Sequence, residues 1–291
     1  MIVRVPATSA NLGPGFDCMG IAWQLYDEIL FERSDELVID GCDPRYQGRN
    51  NLAYLSFTAA LKVCGKDELP VRISFLNTDI PISRGLGSSA ALLVAGAYAA
   101  DQMFSLGLGK EGVNRIACRL EGHPDNITPA VFGNLQLVSM SDDTVARAGT
   151  EVSDIWRFCV LIPDFELSTA EARKALPDLY SRSEAVFNIS RAGLLVKALE
   201  SGDAELLRYA QADVIHQPYR LPLITGYEKA FEAAKNAGAV SACISGAGPT
   251  LLCTFIDIKA VSAMKELIAE SLPSWKCVAV SPDEQGIILL A

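Results

Sequence analysis

The sequence predicts an α+β protein built in two parts, and three observations support this fold class. The chain has 291 residues, more than the roughly 100 to 200 of a typical domain. Alternating apolar residues predict strands, whereas apolar residues three or four positions apart predict helices, and both patterns recur along the chain. A polar stretch at 141–154, SDDTVARAGTEVSD, predicts the boundary, so we expect domains at 1–150 and 151–291.

The first part combines a small sheet with helices. Alternation in EILFER and ELVIDG predicts two strands, 28–33 and 36–41, joined by a polar turn at Ser34 and Asp35. Apolar spacing in NLAYLSFTAALKVCG predicts an amphipathic helix that follows Asn51 and ends at Gly65. The other patterns predict strands at 2–5, 71–77 and 135–140, and helices at 88 to about 104 and at 112–120.

The second part opens with a strand and continues with helices before strands and helices alternate. The predicted strands are 157–163, 239–245, 249–255, 276–281 and 286–290. The predicted helices are 169–175, 182–200, 203–214, 224–237 and 259–271.

Composition and charge exclude several classes of protein. The formal net charge of −10 disfavours nucleic acid and anionic membranes as partners, although a local basic pocket for a small anion is compatible with it. The eight cysteines are scattered without zinc spacing, so we expect reduced core residues. The longest apolar run, Ala90 to Ala100, is shorter than the ~20 residues of a membrane span, and the first residues lack a signal-peptide layout. We therefore expect a soluble, cytoplasmic protein.

The stretch IPISRGLGSSAALLVAG, at 80–96, lies between a predicted strand and a predicted helix. Ser88 or Ser89 would cap the helix in one interpretation. In the other, Gly85 and Gly87 let the backbone approach a phosphate at the helix N-terminus. A Walker-type loop is excluded, and a dinucleotide fingerprint is disfavoured because a loop intervenes after the strand. The two remaining interpretations are compatible with each other.

Two other loops have an equally unusual composition. VPATSANLGPGFD, at 5–17, packs small and turn-forming residues after a strand and offers Asn11 and Asp17 as polar groups for a cleft. SGAGPT, at 245–250, predicts a tight glycine turn between two strands. Each loop alone would be consistent with simple hairpin chemistry.

Together the three stretches resemble the ordered signature motifs of the GHMP small-molecule kinases. The resemblance spans Val5 to Thr250, and its most specific part is the pattern P-x-x-x-G-L-G-S-S-A-A. Within that family, other segments are similar to those of the homoserine kinases: EGHPDNITPAVFGN, TAEARKALP, FNISRAGLLVKAL and QPYRLPLI.

The resemblance implies transfer of the ATP γ-phosphoryl group to the side-chain hydroxyl of L-homoserine, a step in threonine biosynthesis. It implies an S5-like N-terminal ATP-binding domain with a β-α-β phosphate loop, a ferredoxin-like C-terminal GHMP kinase domain and an active site between them. A homodimer is the family's usual assembly. Two alternatives stay open: a GHMP kinase for another acceptor, such as mevalonate or shikimate, and a nucleotide-binding regulator without turnover.

The resemblance also assigns residues to ATP and Mg²⁺. Ser89 and Glu121 would supply oxygen ligands to Mg²⁺, which prefers such ligands. Asn51 would contact adenine, but it also suits an ordinary N-cap. The residues expected to bind ATP are Asn51, Pro81, Ile82, Ser83, Arg84, Gly85, Leu86, Gly87, Ser88, Ser89, Ala90 and Ala91.

The remaining assignments concern an acceptor with a carboxylate, an ammonium and a reacting hydroxyl. Arg173 and Arg220 would bind the carboxylate, because a guanidinium grips a carboxylate at two points. Asp17 would face the ammonium, and Asn11 would bind the substrate near its hydroxyl and act in catalysis. The HPDN segment would contribute His123 to substrate binding and Asp125 and Asn126 to catalysis. Asp125 would be the general base, unless the hydroxyl proton passes directly to the phosphoryl group.

Overall fold

Two β-sheets with packed helices form the protein in a computed structural model that describes residues 1–142 and 144–290. Asp143, which falls in the predicted boundary stretch, and Ala291 lie outside the described residues. The strands are β1 (Ile2–Asn11), β2 (Gly15–Arg33), β3 (Val38–Asp40), β4 (Val71–Thr78), β5 (Leu135–Ser141), β6 (Thr144–Thr150), β7 (Arg157–Ile162), β8 (Ser241–Ile244), β9 (Leu251–Phe255), β10 (Lys276–Val280) and β11 (Ile288–Leu290). The helices are α1 (Leu52–Val63), α2 (Ser88–Phe104), α3 (Gly109–Glu121), α4 (Ile127–Phe132), α5 (Thr169–Lys174), α6 (Arg182–Ser201), α7 (Ala204–Ala210), α8 (Gln217–Arg220), α9 (Tyr227–Asn236) and α10 (Ile258–Ser271).

The first sheet has the strand order β11-β1-β2-β4-β3, with β5 paired to β2 and β6 paired to β5. Both β1 and β2 are much longer than predicted, and β2 begins at Gly15 rather than at Glu28. The neighbouring residues Ile21, Ala22 and Trp23 are all fully buried. A strand covered on both faces loses the apolar alternation from which strands are predicted, so this part of β2 escaped the pattern.

The predicted turn at Ser34 and Asp35 does not form a hairpin. Strand β3 pairs in parallel with β4, with Val38 opposite Arg72, and β4 lies between β2 and β3. The two alternating segments are therefore separated in the sheet, because β4 pairs with the outer part of β2 from Asp27 to Arg33.

The polar stretch at 141–154 contains a strand rather than a linker. Strand β6 pairs antiparallel with β5, with Leu135 opposite Thr150, and most of its side chains are exposed. An exposed edge strand has little apolar content, so its composition resembles that of a loop. The division at 1–150 and 151–291 stays a prediction; in the structure the last strand, β11, pairs with Ile2–Arg4 of β1.

The second sheet has the order β10-β7-β9-β8, and all its pairs are antiparallel. One of its faces packs on α9 and α10 through a core that includes Phe255 and Met264. Its other face joins the core of the first sheet, where the rings of Trp23 and Phe158 lie 5.0 Å apart. The two sheets therefore share one hydrophobic core.

The other predicted helices and strands are confirmed, with ends shifted by a few residues. Helix α7 is shorter than predicted. Two short helices were not predicted: α4, which follows the HPDN segment, and the four-residue α8. All eight cysteines are free, but only four of them are buried. Within the described ranges, none of the helices combines the length and apolar character that crossing a membrane requires.

Candidate active site

The three glycine-containing stretches meet in space through backbone hydrogen bonds. The amide of Thr8 donates to the carbonyl of Leu86 at 3.0 Å, and the amide of Gly246 donates to Ala10 at 3.0 Å. The amide of Thr250 donates to Arg84 at 3.2 Å. These contacts close one wall of a cavity of about 430 Å³, which contains residues from all three stretches.

The phosphate-loop candidate presents the N-terminus of α2 without a side-chain cap. Helix α2 begins at Ser88, and its N-cap is Gly87, with a φ of 75° and no side-chain hydrogen bond. Ser88 and Ser89 are therefore helical residues, and the interpretation in which one of them caps the helix is wrong. The first amides of α2 are open to an anionic ligand, which the helix dipole would also favour.

The glycines of this loop are required by close packing as well as by backbone conformation. A Cβ at Gly87 would collide with the hydroxyl of Thr8. A Cβ at Gly85 would lie 2.8 Å from the carbonyl oxygen of Gly248, and the Gly85 backbone also has a positive φ. The hydroxyl of Ser245 lies 2.6 Å from the carbonyl oxygen of Gly85 and so ties the glycine turn to the loop.

The predicted ATP-binding residues divide into two groups. Eight of them line the cavity: Asn51, Ile82, Ser83, Arg84, Gly85, Gly87, Ser88 and Ser89. Pro81 does not line it, and Leu86, Ala90 and Ala91 are fully buried in the core. The guanidinium of Arg84 donates to the carbonyls of Pro163 and Asp164, so it joins the loop to the end of β7.

Ser89 and Glu121 are in contact at the mouth of the loop. The hydroxyl of Ser89 donates to Oε2 of Glu121 at 2.7 Å, and both residues line the cavity. Only Gly122 lies between Glu121 and the HPDN segment, and this short spacing does not keep the Glu121 carboxylate from Ser89. The described part of the chain has no cluster of three or more His, Cys, Asp or Glu side chains suited to a metal. A cation beside Ser89 and Glu121 would therefore need further oxygens from a bound phosphate compound or from water.

Asn51 caps α1, as one of its two interpretations predicts. Its Oδ1 accepts from the amide of Ala53 at 2.9 Å, and its Nδ2 donates to the carbonyl of Tyr46 at 2.8 Å. The side chain is buried but lines the cavity. Its contact with adenine stays a prediction.

The cavity also holds the predicted acceptor residues, and two of them bind each other. The guanidinium of Arg173 donates to both carboxylate oxygens of Asp17, at 2.7 and 2.9 Å. The hydrogen bonds to Asp17 raise the pKa of Arg173, while partial burial opposes them. Asn11 accepts from the amide of Asp17 at 2.9 Å and donates to the carbonyl of Gly246 at 2.7 Å, so it braces the same corner.

Arg220 is a buried cation, with 1% of its surface exposed. Its guanidinium donates to the carbonyls of Ala172 and Gly246, at 3.2 and 3.3 Å. Among the residues that the structure describes, it has no carboxylate oxygen within 4.0 Å. Burial, and then the charge of Arg173, lower the pKa of Arg220, while the more distant charges of Asp17, Asp125 and Asp213 act against them. A charge kept from water without a counterion would be stabilised by an anionic ligand.

The HPDN segment brings its three predicted residues to the cavity. Nδ1 of His123 lies 2.9 Å from Oδ1 of the buried Asp125. Burial acts to lower the pKa of His123, but the hydrogen bond and charge of Asp125, with the charge of Glu121, raise it overall. Asn126 accepts from the hydroxyl of Thr8 at 2.8 Å, which fixes it beside Gly87.

Sequence reasoning missed several residues of the site. The ring of Phe16 lies 5.0 Å from the Arg220 guanidinium and 5.6 Å from that of Arg173, so it aligns both cations. The buried imidazole of His216 stacks on Phe16 and lies 2.8 Å from the carbonyl oxygen of Gly13. Asp27 lines the cavity from the middle of β2. Phe16 lies within the stretch 5–17, which could have drawn attention to it, and the rarity of histidine could have done the same for His216. No local pattern marks Asp27.

Two family models match the chain, one in each part. The model described as GHMP kinases N terminal domain matches residues 51–134, and the model described as GHMP kinases C terminal matches residues 195–272. The homoserine kinase of Clostridium acetobutylicum is 38% identical over 294 residues, which cover 99% of this chain and 99% of that protein. The homoserine kinase of Clostridium botulinum strain Kyoto is 39% identical and covers 99% of this chain and 97% of its own.

Solved structures agree with these similarities. The homoserine kinase of Cytophaga hutchinsonii superimposes with a TM-score of 0.90 at 28% identity and covers 100% of this chain and 97% of its own. The mevalonate kinase of Methanococcus jannaschii has a TM-score of 0.72 over 97% of this chain and 98% of its own, but at 12% identity it shows likeness of fold alone. The predicted two-domain α+β fold is confirmed.

Proposed function

The chain belongs to the GHMP kinase family, and we propose that it is a homoserine kinase, which transfers the γ-phosphoryl group of ATP to the side-chain hydroxyl of L-homoserine. The relatives that span nearly its whole length carry the name homoserine kinase. One observation supports the proposal most: a single cavity contains both the uncapped N-terminus of α2 and the buried, unneutralised Arg220. The first feature suits a phosphate, and the second suits a carboxylate.

Phosphoryl transfer depends mainly on positioning and on neutralisation of charge. The backbone of Gly85 to Ser89 would hold the phosphates of ATP against the amides of α2. Ser89 and Glu121 offer the hard oxygen ligands that Mg²⁺ prefers, and when bound the ion would neutralise charge on the phosphates. Because Gly87 has no side chain, the phosphates could approach the backbone of the loop closely.

The acceptor would lie beside the Asp17–Arg173 pair. Arg220 would bind its carboxylate, and Arg173, which also lies near the Phe16 ring, would add a second guanidinium. Asp17 would face the ammonium while it orients Arg173. Asn11 would direct the hydroxyl end toward the phosphate loop, since the loop and Asn11 line the same cavity.

Asp125 is our proposed general base, with His123 and Asn126 beside it. His123 contacts the Asp125 carboxylate at 2.9 Å and would hold its orientation. If Asp125 accepts the hydroxyl proton, Asp125→Asn should lower kcat by about 10² to 10⁴ with little change in the KM for ATP. A kcat close to that of the wild type would instead favour direct transfer of the proton to the phosphoryl group.

A coupled assay for ADP release tests the function directly. The purified protein is supplied with ATP and Mg²⁺ and with L-homoserine, mevalonate, shikimate or galactose in turn. We expect release with L-homoserine alone. Turnover of a different acceptor would refute the substrate, and ATP binding without any turnover would support the nucleotide-binding regulator.

Compartment and assembly belong to the same proposal. We propose a cytoplasmic enzyme, because its free cysteines suit a reducing compartment. A homodimer, the usual assembly in the family, is testable by light scattering of the purified protein at several concentrations.

A further inference from the structure

We propose that Asp27 recognises a hydrogen-bond donor on the nucleoside of the phosphoryl donor and so contributes to the selection of ATP. The inference rests on the proposed kinase function but concerns a residue outside the three motif loops. Asp27 lies in β2 opposite Thr78 of β4 and is 3% exposed, yet it lines the cavity. A buried carboxyl that faces a ligand cavity calls for a physical explanation.

Asp27 keeps acceptor capacity that the protein does not use. Its Oδ1 accepts from the amide of Ile80 at 3.0 Å, and the backbone of Asp79 also contacts the carboxylate. No lysine, arginine or histidine among the described residues lies within 4.0 Å of it. A carboxylate has about four acceptor positions, so a ligand could still donate to it. Burial, and then the charge of Asp79, raise the pKa of Asp27 to about 7, against the backbone hydrogen bonds of Ile80 and Asp79. A hydrogen-bond donor on a bound nucleoside would stabilise the ionised carboxylate.

The surroundings of Asp27 suit a nucleoside. Tyr46, Phe75, Ile80 and Leu92 line the same cavity as Asp27, and their apolar surfaces suit a base. Ile80, whose amide donates to Asp27, is the first residue of the phosphate-loop stretch 80–96. Phosphates held on that loop would therefore place the attached nucleoside within the cavity that Asp27 lines. The donor is either the 6-amino group of adenine or a ribose hydroxyl.

Asp27→Asn tests this contact without removing the support of the loop. The amide oxygen can still accept from Ile80, whereas the amide NH₂ replaces the free acceptor. The Kd is measured by calorimetry for ATP, inosine triphosphate, 2′-deoxy-ATP and 3′-deoxy-ATP, with wild type and variant. We expect Asp27→Asn to weaken ATP binding by about tenfold or more, as for a hydrogen bond to a charged group.

The analogues identify the donor. The one that lacks it should bind the wild type more weakly than ATP does, and Asp27→Asn should weaken that analogue no further. Asp79→Asn is the matched control, because Asp79 is the adjacent carboxyl, is exposed and does not line the cavity. We expect it to weaken none of the four affinities, since loss of the Asp79 charge favours the ionised form of Asp27.

Two results would overturn the role of Asp27: unchanged ATP affinity in Asp27→Asn, or equal weakening of all four nucleotides. The wild type is assayed in parallel for homoserine-dependent ADP release. If that release fails, the proposed function is wrong, whereas normal release together with unchanged affinity in Asp27→Asn refutes only the present inference.

Discussion

Arg173 and Asp17 form a two-point ion pair, with nitrogen–oxygen distances of 2.7 and 2.9 Å, although 156 residues separate them in the chain. Each neutralises the charge of the other, although the sequence assigns Asp17 to the ammonium of the acceptor and Arg173 to its carboxylate. Arg220 is therefore the guanidinium of this corner that is left without a carboxylate in the described chain. This arrangement separates the expected roles of the three residues.

Asp17→Asn should weaken binding of L-homoserine, because the variant loses the charge that faces the ammonium. We expect the KM for L-homoserine to rise about tenfold or more. Binding of 4-hydroxybutyrate, which has no ammonium, should be unchanged or tighter, since Arg173 is released for its carboxylate. Steady-state assays with both acceptors measure the difference, and equal weakening of both would contradict a contact with the ammonium.

Arg220→Met should raise the KM for L-homoserine by about tenfold to a hundredfold, because the buried cation for the carboxylate is removed. The KM for ATP should change little. Arg220→Lys should restore only part of the loss, since an ammonium keeps the charge but not the two-point geometry. Arg115→Met, at an exposed position, is the control. If Arg220→Met changes the KM for L-homoserine and the KM for ATP by the same factor, Arg220 does not bind the carboxylate of the acceptor.

Glu121→Gln should lower kcat and raise the Mg²⁺ concentration needed for half-maximal rate. The amide keeps the shape of the side chain that contacts Ser89 but loses the charge that attracts a hard cation. We expect a loss in kcat of about a hundredfold. Rates measured across a Mg²⁺ titration check this, with the exposed Glu270→Gln as control. An unchanged Mg²⁺ requirement would exclude Glu121 from the metal site.

Gly87→Ala should abolish tight ATP binding and destabilise the fold. Its φ is 75°, and its Cβ would collide with Thr8. Gly107→Ala is a matched control, because Gly107 has a φ of 74° but nothing within 4 Å of its added Cβ. Urea unfolding should show about 1 kcal/mol lost in Gly107→Ala, from backbone strain alone, and clearly more in Gly87→Ala. Equal losses would mean that the contact with Thr8 relaxes without cost.

The stability of the wild type relative to Asp27→Asn should depend on pH. Burial raises the pKa of Asp27 from 3.8 to about 7 on folding, so the folded state retains a proton that the unfolded state loses. The stability from this carboxyl is complete below about pH 4 and is lost as the pH rises toward 7. Urea unfolding at pH 5 and pH 8 should show Asp27→Asn gaining relative stability at pH 8. The gain should be smaller in Asp79→Asn, which removes only the charge that adds to the effect of burial on Asp27. A difference independent of pH would contradict the buried state of Asp27.

Much of the site was predictable because its chemistry lies in short, unusual stretches. The glycine and serine spacing of 80–96 and the HPDN segment each keep their functional groups within a few residues, and the cavity contains Gly85, Ser89, His123 and Asp125 as expected. The partners of these groups were not predictable. Leu86, Ala90 and Ala91 belong to a motif but face the core, because a helix that presents its N-terminus to a ligand must bury its other side.

The sequence by itself determined the fold class, the family and the set of loops that carry polar groups. Each depends on residues that are close along the chain, where spacing sets backbone conformation directly. Only the tertiary structure decided that Asp17 binds Arg173, that Arg220 is buried without a counterion and that Asp27 faces the cavity. Burial and charge pairing arise when distant segments pack together, so no local pattern contains them.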